Sequence, residues 1–474
     1  MIPAMEAAAV GHATAEGDML TRAGAAARRT GQRYRRLGAV PDARRLLLAG
    51  AVANVGDRFT TIAMIALAYE LGGGARAVGV VLALKLLPRF LCQAWAGSLV
   101  DRRPGSALPV VSHLLLAVFT AAFALLAVLP SVWLLYGLTV ARGTVRTVAM
   151  PSFEIGLIGV TPPAEYGTAR ALHSLVRTAG ELIGPLLAGL LLPLVGTFPL
   201  FLFNALSFLG VAAALAGGRR SAVGPAAAAA VAITAFGYRT LLRRPDVAAY
   251  LLLVVAQYVL VAGGIAVFVV RARGFGLGEG GVGMFYSALG AGALVGGAVA
   301  GAGGYGGSRV LVLTAAAAIG VGAGTAGFGA AGGLPLSLAA LALAGAAGEV
   351  EEVSALTGFQ RRLGDATYGR VYALFLIATG LGGVAGSLIA PVLAESLGVA
   401  STLALLAAPV VGLAGALIVR EAASERGATG YQVWHPSEPE VVGYGADGAP
   451  PPTASPLALG AAEETRLPRF GRVT

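Results

Sequence analysis

Charged residues are scarce in this chain of 474 residues. They make up 12% of it, whereas soluble domains carry about 25%, and 57% of the residues are hydrophobic, with a mean hydropathy of +0.78. Cysteine occurs once, at Cys92, which excludes disulfides and thiolate metal sites. Too little charge is available to cover the surface of a soluble protein of this length. The composition therefore predicts a protein embedded in a lipid bilayer.

Other absences exclude further classes of protein. The net charge of +10 does not indicate a nucleic-acid partner, because the arginines fall mainly in tails and short loops instead of forming one solvated face. Residues 1–40 lack the apolar core of a signal peptide. The sequence shows no catalytic set, no paired metal spacing and no phosphate loop. We therefore expect no enzyme activity, no metal and no cofactor, and any pumping would draw on an ion gradient.

Apolar runs of about 20 residues, the length of one crossing, predict twelve spans. They are 46–71, 77–100, 108–129, 133–150, 171–194, 197–215, 247–270, 282–302, 310–331, 334–359, 371–393 and 399–419. Only helices satisfy their own backbone in lipid at this length, so we predict an all-α membrane protein. The expected domains are a basic tail (1–45), a six-helix bundle (46–216), a linker (217–246), a second six-helix bundle (247–420) and a disordered tail (421–474).

Arginines in the loops predict the orientation. If both tails are cytoplasmic, twelve loop arginines lie inside and only Arg76, Arg271 and Arg273 lie outside. The inside set is Arg102, Arg103, Arg170, Arg219, Arg220, Arg239, Arg243, Arg244, Arg309, Arg361, Arg362 and Arg370. This asymmetry predicts cytoplasmic termini.

Two stretches repeat one pattern. Tyr166-Gly167, Ala171-Leu172, Gly180 and Gly184 recur at the same spacing as Tyr368-Gly369, Ala373-Leu374, Gly382 and Gly386. A repeat at this distance indicates one multi-helix bundle encoded twice. Two bundles around a site at the bilayer midplane are the common plan of a secondary transporter.

The loop after the second span carries the most specific motif, Gly97-Ser98-Leu99-Val100-Asp101-Arg102-Arg103-Pro104-Gly105. It resembles the cytoplasmic signature of the major facilitator superfamily, and the resemblance covers nearly the whole membrane region. Asn54-Val55-Gly56-Asp57, Gly184-Pro185 and Tyr368-Gly369-Arg370-Val371 resemble the branch that holds bacterial drug and siderophore exporters of the enterobactin type.

This resemblance implies roles for two groups of residues. Gly97, Asp101, Arg102 and Gly105 would form a cytoplasmic latch, in which Asp101 approaches the positive end of a neighbouring helix dipole. A loop that is merely solubilising is the alternative. Gly180, Gly184, Pro185 and Gly189 are similar to a signature of antiporters, although Ala188 stands where that signature has a glycine. Small residues allow close helix packing, which alone could explain the motif.

Ionisable residues inside spans are the candidate cavity and proton-coupling residues, because each costs about 2.5–3.5 kcal/mol at the centre of a span. They and their polar neighbours are Asn54, Asp57, Arg58, Arg142, Arg146, Gln257, Tyr258, Glu349, Glu351 and Glu352. They fall in spans one, four, seven and ten, which line the central cavity in the family. The pattern is incomplete, because span two carries Lys85, Arg89 and Gln93 and span five carries His173, Arg177 and Glu181.

Charge placement suggests a coupling hypothesis. Arg142 or Arg146 would pair across the cavity with Glu349 or Glu352 in one conformational state, and protonation of the glutamate would release the pair. A static structural salt bridge is the alternative. His113 in span three is interpreted as a packed or interfacial residue.

We thus expect a multi-pass protein of the bacterial cytoplasmic membrane, acting as a monomer, that exports a small amphipathic organic molecule in exchange for protons. Its partners would be the lipid bilayer and this substrate. An importer or lysophospholipid flippase of the same fold, a non-transporting sensor or assembly partner, and an intramembrane enzyme are the alternatives.

Overall fold

The computed structural model describes residues 35–101, 107–217, 241, 243–302, 310–363 and 365–428. Helix is the only regular secondary structure across these residues, and long helices coincide with all twelve predicted spans. The first six are α1 (Pro41–Leu71), α2 (Ala75–Asp101), α3 (Leu108–Ala121, extended by a 3-10 helix, Ala122–Ala127), α4 (Val132–Val160), α5 (Tyr166–Val195) and α6 (Thr197–Gly217).

The second set begins after residue 243. It comprises α7 (Pro245–Ala266), a short helix (Phe268–Gly274), α8 (Gly281–Ala302), α9 (Val310–Ala330), α10 (Leu334–Leu363) and a helical run, Asp365–Ala428. Gly398 has a positive φ of 77° and divides this run into α11 (365–397) and α12 (399–428). A residue with a side chain would be strained there, so glycine makes this reversal of direction possible.

Nine helical stretches of the described chain are long and apolar enough to cross a membrane, and the stretch Gly369–Ala423 contains both α11 and α12. The two remaining helices are α2 and α4, whose basic residues lower their hydropathy. Large apolar side chains face outward, such as Leu48, Trp133 and Leu194, which are 62%, 77% and 79% exposed. Surface of this kind is expected where helices contact lipid rather than water. The architecture is that of an all-α membrane protein.

The repeated glycines pack in equivalent ways in the two halves of the chain. A Cβ at Gly180 would lie 3.1 Å from the Asn54 Cβ, so α5 crosses α1 closely. A Cβ at Gly382 would lie 2.8 Å from the Tyr258 Cβ, so α11 crosses α7 in the same manner. Small residues allow helix backbones to approach in a membrane. The sequence repeat is therefore matched by a repeat of helix packing.

The apolar core distinguishes the two ends of the molecule. We call the end where α1 begins the near end and the end where α1 finishes the far end. One large apolar cluster includes Phe59 of α1 and Phe285 of α8 and joins the two halves toward the far end. Toward the near end the halves have separate clusters, one around Phe153 and another around Phe375. Among the described residues, the halves thus share one apolar core toward the far end and have separate cores toward the near end.

Candidate functional site

A cavity of about 840 Å³ lies within the first half, lined by residues from α1 to α6. Its wall runs from Met64, Lys85 and Thr139 to Gln93 and Glu154, which lie toward the near end. Nine charged side chains border it, and most come from the faces that the sequence analysis singled out. They are Asp57, Arg58, Lys85, Arg89, Arg142, Arg146, Glu154, Arg177 and Glu181.

Asp57 of α1 is the centre of the deepest charge cluster. The Arg142 guanidinium donates to Asp57 Oδ1 at 2.5 Å, and Arg146 lies 2.8 Å from Oδ2. Arg142 and Arg146 are one helical turn apart, so both reach α1 from one face of α4. Asp57 and Arg142 are 5% and 3% exposed. Two guanidinium groups on one carboxylate satisfy charges that would otherwise be costly to bury.

Neighbouring helices hold this cluster in place. Arg142 Nε donates to Thr120 Oγ1 of α3 at 3.0 Å, and its guanidinium lies 5.7 Å from the centre of the Phe208 ring of α6. A Cβ at Gly143 would lie 3.0 Å from Pro88 Cγ, so glycine lets α4 approach α2. The orientation of Arg142 is therefore fixed by contacts with three neighbouring helices, α1, α3 and α6.

A second charge cluster lies where α1 meets α5. Glu181 accepts from Arg58 at 2.6 Å and from Arg177 at 2.8 Å. Closer to the near end, His173 Nδ1 lies 2.7 Å from Glu154 Oε1. A smaller cavity of about 310 Å³ adjoins this pair and is also bordered by Arg170.

The second half holds a buried polar pair of a different kind. Gln257 Nε2 of α7 donates to Glu351 Oε2 of α10 at 2.7 Å. These residues are 5% and 3% exposed. Gln257 Oε1 and Glu351 Oε1, both acceptors, are buried without a hydrogen-bond partner. A buried polar atom without a hydrogen-bond partner is costly. Both unpaired atoms are acceptors, so this pair lacks a hydrogen-bond donor.

The other candidate site residues do not all line the cavity. Asn54 lines the cavity, whereas Gln257, Tyr258 and the three glutamates of α10 are not among its lining residues. Glu349 packs against Gly297 of α8, whose Cβ would lie 3.4 Å from Glu349 Cγ. Within the described chain, neither Glu349 nor Glu352 makes an ion pair.

The hypothesised pairs between α4 and α10 are consequently absent from this conformation, because Arg142 and Arg146 both bind Asp57. Forming such a pair would require release from Asp57.

The predicted latch falls largely outside the described residues. Asp101 is the last residue of α2, but its side chain lies outside the described part of the chain, as do the surroundings of Gly97 and the whole of Arg102 and Gly105. All four residues of the packing motif in α5 lie in the described part of the chain. Gly184 lies against Arg58 and Val55 of α1, while Gly189 meets Gly283 of α8. This motif thus joins α5 both to its own half and to the other half.

Sequence reasoning underestimated α2 and α5, whose polar stripes break the expected pattern of spans one, four, seven and ten. Lys85, Arg89 and Gln93 line the cavity, as do His173, Arg177 and Glu181. Their spacing of four residues was the available signal. His113 is buried and also borders the cavity. Thr61 and Thr120 were missed, because an isolated threonine in an apolar helix carries no signal.

Contacts across the two halves concentrate at the far end. A Cβ at Gly79 of α2 would overlap the Ser387 carbonyl oxygen of α11, and one at Gly283 of α8 would overlap the Pro185 carbonyl oxygen of α5. Arg76 and Glu395 form an ion pair there. The backbones therefore touch at the far end, while the residues that line the cavity run toward the near end.

Comparisons with known proteins agree with this arrangement. The profile of the Major Facilitator Superfamily matches residues 46–359. The nucleoside transporter NupG has a similar structure, with a TM-score of 0.61, 12% identity, and coverage of 80% of this chain and 98% of that one. No curated protein sequence matches the chain.

Two further solved structures are similar. A bacterial homologue of the human lysosomal transporter Spinster, in an inward-facing and unoccupied conformation, has a TM-score of 0.56 and 14% identity and covers 81% of this chain and 96% of that one. The human organic anion transporter MFSD10 has a TM-score of 0.50 and 16% identity, with coverage of 79% and 99%. At these identities the likeness concerns the fold alone.

Proposed function

Because the chain belongs to the major facilitator superfamily, we propose that it is a secondary transporter that exports a small amphipathic organic molecule in exchange for protons. It would work by alternating access, in which two helical bundles rock about a central site. The family and the fold support transport. Export and proton coupling rest on the residues discussed below.

The observation that carries the proposal is a polar cavity that is sealed at one end of the molecule. Backbone contacts between α2 and α11 and between α5 and α8 close the far end, while charged residues line a passage toward the near end. A transporter that alternates between two states must have one conformation of this kind. The loop arginines indicate that the near end is cytoplasmic, so this conformation would be the inward-open state.

The direction of transport is supported by motifs. Gly180, Gly184, Pro185 and Gly189 resemble a signature of antiporters, and Gly189 lies at the contact between α5 and α8. A glycine-lined contact between halves allows the helices to separate without unlocking long side chains. Export in exchange for protons is the direction that this antiporter-like motif favours.

The coupling proton is best assigned to Glu351. Two buried acceptors, Gln257 Oε1 and Glu351 Oε1, lack a donor. A proton on Glu351 supplies that donor, because a carboxylic acid and a primary amide can exchange two hydrogen bonds face to face. Loss of the proton would leave a buried charge with a single amide donor, a state that favours a rearrangement admitting water. Protonation would thereby select between conformations.

Reconstituted vesicles test this function. Purified protein in proteoliposomes with an imposed pH gradient should move a compound against its gradient, and collapse of the pH gradient should stop that movement. In intact cells, deletion of the gene should raise accumulation of the compound. Lower accumulation on deletion would instead indicate an importer, and redistribution of a lysophospholipid between leaflets would indicate a flippase.

A further inference from the structure

The charges around the cavity point to a class of substrate, an inference that rests on the proposed transport function. We propose that the cavity binds an organic anion, whose acidic group is held by Lys85 and Arg89 of α2. The amphipathic character of the substrate would then combine an apolar body with one carboxylate, sulfonate or phosphate group.

The charges that line the cavity do not balance. Six of the nine are basic and three are acidic, which leaves an excess of three positive charges before His173 is counted. Each acid also has a basic partner. Asp57 holds Arg142 and Arg146, Glu181 holds Arg58 and Arg177, and Glu154 lies against His173.

Lys85 and Arg89 are the two lining cations for which the described chain provides no acid within ion-pair distance. The Lys85 ammonium donates to Thr61 Oγ1 at 2.6 Å, which engages one of its three N–H donors. Arg89 is exposed to the cavity and makes no hydrogen bond or ion pair with the described residues. An ammonium and a guanidinium one helical turn apart on one face form a natural site for an anion.

The approach to this pair is basic as well. Toward the near end, the adjoining smaller cavity is bordered by Arg170, His173 and Arg177, with Glu154 as its single acid. An anion that enters there would pass from one set of cations to the next, and clefts of one sign concentrate ligands of the opposite charge. None of the acids of α10 lines the cavity, although Glu349 and Glu352 lie within electrostatic range of Arg177.

Binding of two dyes with one ring system tests the proposal. Fluorescein is an organic anion and rhodamine 6G an organic cation, and both carry a xanthene ring. Fluorescence polarisation with the purified full-length protein should show that fluorescein binds and that salt weakens its binding. Lys85→Gln and Arg89→Gln should each weaken fluorescein binding by about tenfold, the loss of one charge-assisted hydrogen bond in a partly hydrated site.

Matched variants separate recognition from folding. Arg45→Gln removes an exposed cation outside the cavity and should leave fluorescein binding unchanged. Arg89→Lys keeps the charge and should restore most of the affinity lost in Arg89→Gln. Rhodamine 6G bound as tightly as fluorescein, or fluorescein binding unaffected by both α2 variants, would overturn the proposal.

Failure of this proposal can be told apart from failure of the transport function. Proteoliposomes that move rhodamine 6G but not fluorescein in response to a pH gradient would retain the transporter and reject the anion site. Binding of fluorescein that depends on Lys85 and Arg89, without movement of any dye under a gradient, would retain the anion site and reject transport.

Discussion

Replacement of Glu351 by glutamine is the sharpest test of proton coupling in this protein. The side chain is 3% exposed and accepts from Gln257 Nε2 at 2.7 Å. Glutamine has the shape of the acid and provides the N–H donor that the two unpaired acceptors lack. The variant therefore imitates the protonated state permanently, and it should fold but no longer exchange a proton.

The expected loss of coupling can be given a magnitude. One pH unit across the membrane corresponds to about 1.36 kcal/mol per proton, and exchange of one proton for one substrate would sustain about a tenfold concentration ratio. Glu351→Gln should reduce this ratio to about one, because the variant can only equilibrate its substrate. Exchange of labelled substrate without a gradient should persist.

Stability provides an independent measure at the same position. Glu351→Gln preserves pairing with Gln257 and should change the free energy of unfolding by less than about 1 kcal/mol. Glu351→Leu leaves the Gln257 amide buried without a partner, which costs about 1–3 kcal/mol. Thermal unfolding in detergent would show this difference as a lower midpoint for the leucine variant.

The assay is accumulation of fluorescein in proteoliposomes at several imposed pH differences, with Glu349→Gln and Glu352→Gln as matched neutralisations on the same helix. Full gradient-driven accumulation by Glu351→Gln would refute the assignment of the proton. Loss of coupling in Glu352→Gln alone would transfer the role to Glu352.

Three further predictions concern other parts of the fold. Asp57→Asn should lower the free energy of unfolding by about 3 kcal/mol, because it leaves two arginines without their acid. Asp42→Asn, which changes a surface pair with Arg45, should lower it by less than about 1 kcal/mol. Denaturant unfolding of the two variants would measure both values. Gly283→Ala should open the far end, because its Cβ would overlap the Pro185 carbonyl oxygen; thiol labelling of a far-end cysteine in a Cys92→Ser background should become faster. Reporter fusions to either terminus should report a cytoplasmic location, and a periplasmic signal from one of them would contradict the predicted orientation.

Much of the fold was predictable from the sequence, because membrane helices must be long, apolar and internally hydrogen-bonded. All twelve predicted spans coincide with helices. Even α4, whose hydropathy is reduced by Arg142 and Arg146, was identifiable from its length and its position between two loops. The repeated glycines also predicted equivalent helix contacts, which Gly180 and Gly382 make.

The pairing of charges was less predictable. Helical spacing shows that Arg142 and Arg146 share a face, but it does not show which helix that face meets. The sequence suggested acids of α10 as partners, whereas in this conformation both arginines bind Asp57 of α1. The rotation of each helix about its axis decides this pairing, and that rotation depends on contacts such as Gly143 against Pro88.

The cavity wall shows the same limit. The expectation that spans one, four, seven and ten line the passage treated the stripes on α2 and α5 as exceptions, although residues of both stripes border the cavity. The spacing of the polar residues identified each stripe. Spacing alone could not decide whether a stripe faces lipid, packs against another helix or lines the cavity.

The confinement of the Asp57 cluster to α1 and α4 has a kinetic consequence. Asp57, Arg142 and Arg146 all belong to the same half. A rocking motion of the halves therefore moves these three residues together and does not separate their buried opposite charges. The activation barrier for reorientation then arises mainly from apolar and backbone surfaces parting between α2 and α11 and between α5 and α8. The rate of reorientation should accordingly respond strongly to bilayer thickness and lateral pressure.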